Sequence, residues 1–115
     1  MNEKEILNNL MKVEDILVCM LIAGNATIHP DMQPKIRIDI WYTLQYTLDG
    51  FKRFLKQAYH FGCERVTFEV SEHLIFVYLV AEDAAIVAIA PALCNRGLVE
   101  IKLESARLEL KKILK

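Results

Sequence analysis

Glycine, cysteine and charge of one sign are all in short supply, and each shortage narrows what the chain can be. Only four glycines occur in 115 residues, so there is no glycine-rich loop to wrap phosphates with backbone N–H groups. Nucleotide binding through that device is excluded. The three cysteines, Cys19, Cys63 and Cys94, are odd in number, far apart and never in a C-x-x-C pair, which argues against a zinc knuckle or a dithiol redox centre. Each has apolar neighbours and is expected to be a small buried hydrophobe in a reducing, intracellular setting. Basic and acidic residues nearly cancel, 14 against 15. Without a basic excess to displace counterions, nucleic acid is not an expected partner. The apolar stretch Ile16 to Ala23 falls far short of the roughly 20 residues that cross a bilayer, so no membrane insertion is expected. The opening residues Glu3, Lys4 and Glu5 lack the basic start of a secretory signal. A cytoplasmic location is the expectation.

Reaction chemistry is equally sparse. His29, His60 and His73 fall in predicted loops or element ends, and no H-E-x-x-H or similar spacing joins them. They read as surface histidines. Cys63 stands one helical turn from His60 and could pair with it as a thiolate, although a structural cysteine is the stronger reading. A Ser-His-Asp arrangement is spatial and cannot be read from spacing. No catalytic residue, metal ligand or cofactor is assigned, and the expectation is a protein that is not an enzyme.

What the chain has in abundance is apolar surface. Hydrophobic residues make up 54% and mean hydropathy is +0.24. One domain over residues 1–115 has limited interior volume, so part of this surface should face a partner, most simply a second copy.

The element signals run in the order α-β-β-α-β-β-β-α. Ile6, Leu7, Leu10 and Met11 recur at helical spacing over residues 2–13, with Asn2 as N-cap and Glu5 three positions on. Ile16–Ile22 and Ala26–Ile28 read as strands around a Gly24-Asn25 turn. Pro34 suits a first helical turn, and Trp41, Leu44, Leu48, Phe51, Leu55 and Ala58 form one stripe of a long helix ending near His60, with Gly62 as its left-handed cap. The alternation of Ile36, Ile38 and Ile40 is a rival strand signal, outweighed by the longer three-four pattern. Arg65–Val70, Leu74–Val80 and Ala84–Ala90 read as an antiparallel meander, with the last strand central because both its faces are apolar. Asn95 caps a final helix whose buried stripe is Val99, Leu103, Ala106, Leu110 and Ile113, flanked by charges that include Arg107. The expected fold is an α/β sandwich of the α+β type. A five-stranded antiparallel sheet carries the long helix on one face and the two terminal helices on the other.

Three segments in this order resemble the roadblock family of dynein light chains and its prokaryotic relatives that regulate Ras-like GTPases. Asn95-Arg96-Gly97-Leu98-Val99 resembles the family's asparagine–any–glycine step into its last helix. Val13-Glu14-Asp15-Ile16 resembles the entry to the first strand, and Gly24 to Ile28 the first hairpin. The chain departs from the family in having Ala23-Gly24-Asn25 where an aspartate–glycine turn is common. It also carries the bulky Trp41, Tyr42, Tyr46, Phe51 and Phe54 in a helix that usually holds small residues. The resemblance implies a roadblock/profilin-like homodimer, joined by the strand after the long helix and by the long helices themselves. It further implies that a small Ras-like GTPase docks on the helix pair, with no catalytic side chain supplied. A purely structural dimerising or scaffolding module is the alternative. A small-molecule sensor, with a pocket built from Cys63, His60 or Tyr59, is a third.

Two surfaces follow as expectations. The second stripe of the long helix holds Ile36, Ile40, Thr43, Thr47, Gly50, Phe54 and Phe61. Of these, Ile40, Thr43, Thr47, Gly50 and Phe54 are assigned to a dimer contact together with Val66, Phe68 and Val70 of an edge strand. The remaining helix face, with Tyr42, Tyr46, Lys52, Arg53 and Lys56 beside Asp49, is the candidate partner-binding surface. A merely solvated face is the competing reading there.

Overall fold

The computed structural model describes residues 1–114. Helix α1 (Glu3–Met11) starts where Asn2 Oδ1 accepts the backbone N–H of Glu5 at 2.9 Å, and it buries Ile6, Leu7, Leu10 and Met11. Strands β1 (Val18–Ala23) and β2 (Ala26–Ile28) form a hairpin through Gly24, whose φ of +61° is readily available only to glycine. The long helix α2 (Ile38–His60) is followed by strands β3 (Arg65–Val70), β4 (His73–Ala81) and β5 (Ala84–Pro91) and by helix α3 (Arg96–Ile113). The five strands form one sheet in the order β2-β1-β5-β4-β3, every pair antiparallel. β5 is central, and all its residues but Pro91 are buried.

Two apolar layers sit on the two faces of this sheet. Residues of α1 and α3 pack on the face that carries Leu21, Phe76, Tyr78, Ile86 and Ala88. Trp41, Leu48 and Leu55 of α2 pack on the opposite face against Met20, Ile75, Val77, Val87 and Ile89. The alternation of side chains along each strand produces this split, because successive residues point to opposite faces. The expected layering, the meander of the last three strands and the central place of β5 are the observed ones.

Several local expectations are corrected. α2 begins at Ile38, not at Pro34. The backbone N–H of Lys35 donates to Leu17 O at 2.7 Å, and Arg37 at the helix entry is extended, with ψ of 134°. Residues 34–37 therefore run as a tether alongside the start of β1, and Ile36 packs on the α2-side core from outside the helix. Ile113 is exposed rather than buried, and Arg107 is buried rather than exposed. Of the cysteines only Cys19 is fully buried, while Cys63 and Cys94 are half-buried. His73 opens β4 and is half-buried rather than lying in a turn.

The C-terminal end of α2 forms as its glycine suggests. Gly62 takes φ of +85°, its N–H donates to Tyr59 O at 3.0 Å, and the N–H of Cys63 reaches back to Ala58 O at 2.9 Å. This pair of bonds is the Schellman closure, which turns the chain sharply toward β3. At the other end of the molecule Asn95 Oδ1 accepts the N–H of Leu98 at 3.2 Å, and the N–H of Asn95 donates to Asp15 Oδ2 at 2.9 Å. The cap of α3 is thereby fastened to the entry of β1.

Candidate functional site

α2 is the element whose exposure stands out. Of its 23 residues only Trp41, Leu48 and Leu55 are buried. They recur every seven positions, so the helix meets the sheet along a narrow seam and leaves both flanks open.

One flank leans toward β3. Here Thr43, Thr47, Gly50 and Phe54 are exposed and Ile40 is half-buried. The hydroxyl of Thr43 donates to Asp39 O at 2.9 Å, and that of Thr47 donates to Thr43 O at 2.9 Å. Both hydroxyls are thus satisfied within the helix, which leaves methyl groups as the outward surface. A Cβ placed on Gly50 would meet nothing within 4 Å among the described residues. Packing within the protomer therefore gives no reason for a glycine that costs an exposed helix about 1 kcal/mol relative to alanine. Phe51, expected to face the sheet, instead sits on this flank. Its ring lies 5.5 Å from that of Phe68 and 6.4 Å from that of Phe54.

β3 continues the same surface. It is an edge strand, paired only with β4. Val66 and Phe68 are half-buried against the α2 layer, and Val70 is exposed. Phe51, Phe54, Phe68 and Val70 thus line an apolar strip beside a row of unpaired backbone groups, the arrangement that invites another strand.

The other flank faces the β1–β2 side. Tyr42 and Tyr46 are 62% and 83% exposed. Lys52 reaches Asp49 at 3.0 Å and Lys56 reaches Glu82 at 3.4 Å, so both cations already have partners, while Arg53 is exposed with no ion pair among the described residues. Glu82 also lies 3.2 Å from His60, and hydrogen bonds from His60 and then Lys56 hold its carboxyl below the usual range. Met20, Thr27, His29, Gln45, Tyr46 and Lys52 help line a shallow groove of about 250 Å³ on this side.

The structure does not bring together the residues considered for a small-molecule pocket. Tyr59 and His60 are exposed, His60 is turned to Glu82, and Cys63 Sγ donates to Arg65 O at 3.4 Å. No cluster of metal-ligating side chains and no helix long and apolar enough to cross a membrane occur among the described residues. Burial pushes the Cys19 thiol up to about 12, and its Sγ donates to Leu7 O at 3.5 Å, so this cysteine stays protonated and inert.

Sequence reasoning missed a polar cluster beneath α3. Arg107 is only 5% exposed. Its guanidinium donates to Glu104 at 2.6 Å and to Glu64 at 3.4 Å, and Arg65 lies over the Tyr78 ring at 6.0 Å. The Tyr78 hydroxyl is buried with no hydrogen-bond partner among the described residues. The only available signal was position: Arg107 stands one residue from the buried stripe at Ala106, and a long stem can lie along the core while its head reaches the edge.

No protein-family profile matches the chain. No curated protein matches it by sequence. Solved structures do. MglB from Myxococcus xanthus superposes with a TM-score of 0.75 at 19% identity, covering 97% of this chain and 94% of its own. A Roadblock/LC7 domain from Streptomyces avermitilis gives 0.71 at 12% identity, covering 96% of each chain. MglC from Myxococcus xanthus gives 0.65 at 17% identity, covering 96% of this chain and 94% of its own. Element order, sheet topology and these near-complete superpositions agree, and the chain has the roadblock-type fold.

Proposed function

We propose that this chain, acting as one domain over residues 1–115, is a non-enzymatic regulator of a small Ras-like GTPase and works as a homodimer. The observation that carries the reading is the shallow seating of α2. A long helix with three buried side chains and exposed Tyr42, Tyr46 and Phe54, followed by exposed Phe61 at its C-terminal cap, is poorly covered by its own protomer. Pairing α2 and β3 with their copies about a two-fold axis covers the Thr43, Thr47, Gly50 and Phe54 flank and joins the β3 edges through Val66, Phe68 and Val70. Ile40 extends that contact at the N-terminal end of the helix. The opposite flanks of the two helices, with Tyr42, Tyr46, Lys52, Arg53 and Lys56, then form one outward platform.

A partner seated there is regulated by differential binding. The platform favours one arrangement of the GTPase switch segments and so biases the nucleotide cycle, with the partner supplying the chemistry. This role needs no cofactor and no catalytic side chain from the regulator, and it places the protein in the cytoplasm. Capture of a GTPase on the immobilised chain, followed by a GTP-hydrolysis assay with and without it, tests the reading. Capture and a changed rate are expected, and Tyr46→Ala should weaken both. Failure to hold any GTPase in either nucleotide state contradicts it.

A further inference from the structure

We propose that a second copy of this chain also docks on the outer face of α3, helix against helix and antiparallel. α3 turns Val99, Leu103, Ala106 and Leu110 to the core. On its opposite side Leu98, Ile101 and Leu108 are 42%, 67% and 50% exposed. With Ser105 and Lys112 they fall at positions 98, 101, 105, 108 and 112, alternately three and four residues apart, which is the period of a two-helix seam. The protomer's own core makes no use of this stripe. Beside it runs a groove of about 660 Å³ between α1 and α3, lined in part by Ile6, Leu10, Lys102, Ser105 and Glu109, with room for the side chains of a helix laid on α3.

The charges along the seam identify the occupant. Lys102 and then Glu109 flank it on the groove side, while Glu104 and then Lys111 flank it on the other. The signs run in opposite order on the two flanks. When two copies are laid antiparallel about a two-fold axis between residues 106 and 107, Lys102 meets the second copy's Glu109, and Glu104, which also holds Arg107 of its own protomer, meets its Lys111, each pair made twice. In the same register Leu108 falls against the second copy's Ser105, large against small, and Ile101 lies against the aliphatic stem of its Lys112. A parallel pairing would instead set Glu104 against the second copy's Glu109, like against like. This pattern is complementary to its own reverse, which selects a copy of the chain over an unrelated helix.

α3 and α2 lie on opposite faces of the sheet, so this contact stands independently of the α2–β3 dimer. Together, two such self-complementary faces would extend pairs into larger assemblies. Sedimentation equilibrium of the full chain carrying Phe54→Glu, which removes the α2–β3 contact, tests the proposal. That variant is expected to pass from one copy to two as concentration rises. Lys102→Glu added to it should weaken the association about tenfold by turning two attractions into repulsions, and further addition of Glu109→Lys should restore it. Ile101→Glu with Leu108→Glu should abolish it while far-ultraviolet circular dichroism stays unchanged. If Phe54→Glu does not fold, the same α3 variants in the otherwise wild-type chain are read as loss of species larger than the pair. A mass that ignores the Ile101 and Leu108 changes, or a charge exchange that fails to restore association, overturns the proposal. A mass that ignores Phe54→Glu counts against the α2–β3 pairing alone.

Discussion

Single residues set the local stability of the α3 side. Arg107 is buried, but its partners Glu104 and Glu64 keep contact with solvent, their side chains 29% and 57% exposed. Truncation of Arg107 therefore leaves no fully buried unpaired carboxylate, and the loss is smaller than for an enclosed pair. Arg107→Ala is expected to cost about 1–2 kcal/mol, through lost packing of the stem as much as lost charge, measured by urea unfolding. Tyr78 makes the opposite case. Its hydroxyl lacks a partner among the described residues, and burial raises its pKa above the ordinary phenol value. Tyr78→Phe removes an unsatisfied group and keeps the ring under Arg65, so stability should hold or rise by up to about 1 kcal/mol. A clear loss would show that the hydroxyl is bonded in solution. The pH dependence follows from Glu104, whose carboxyl is held below its usual range first by the hydrogen bonds from Arg107. A group with a depressed folded-state pKa stabilises the fold above its unfolded pKa of about 4.3, and that contribution is lost as pH falls through the lower folded value. Acid titration of stability should thus show a smaller loss below about pH 4 in Glu104→Gln than in the parent chain.

At the scale of elements, most of the fold was legible, and the misses share one cause. Three-four spacing located all three helices, and period-two alternation or continuous apolar runs located the strands, because those patterns reflect burial on one or two faces. The caps were legible as well, since Asn2, Asn95 and Gly62 act through bonds to residues within five positions. The start of α2 was not. It is set by the bond from Lys35 to Leu17 in a distant part of the chain, which no local pattern records. Likewise Phe51 continues the buried stripe by spacing, yet it lies beyond the narrow seam and stacks on Phe68 instead. The caps offer a direct check. Gly62→Ala places a side chain at φ of +85° and should cost about 1–2 kcal/mol. Asn95→Ala loses the α3 cap for about 1 kcal/mol, whereas Asn95→Asp should retain most of it. Thermal unfolding of the three variants separates these outcomes.

For the whole molecule, the candidate surfaces were legible as stripes but not as places. The Thr43–Gly50–Phe54 stripe could be drawn on a helical wheel. The family resemblance set it beside the β3 edge; the fold supplies the contact that joins the two, Phe51 against Phe68 at 5.5 Å, and shows Lys52 and Lys56 paired with Asp49 and Glu82. The outer stripe of α3 could equally have been read, since Leu98, Ile101 and Leu108 sit at seam spacing, but the stronger buried stripe on the same helix masked it. The two sheet faces therefore differ in kind. One bears a helix with excess exposed aromatic surface, and the other a helix with a second, charge-flanked seam. The proposed function stands on the pairing of two copies through α2 and β3. The most direct test is the solution mass of the chain with Ile101→Glu and Leu108→Glu in place, so that only this contact remains. Light scattering should give twice the 13.3 kDa of one chain, falling to a single copy when Phe54→Glu is added. A single copy before that change, or a pair that survives it, contradicts the account.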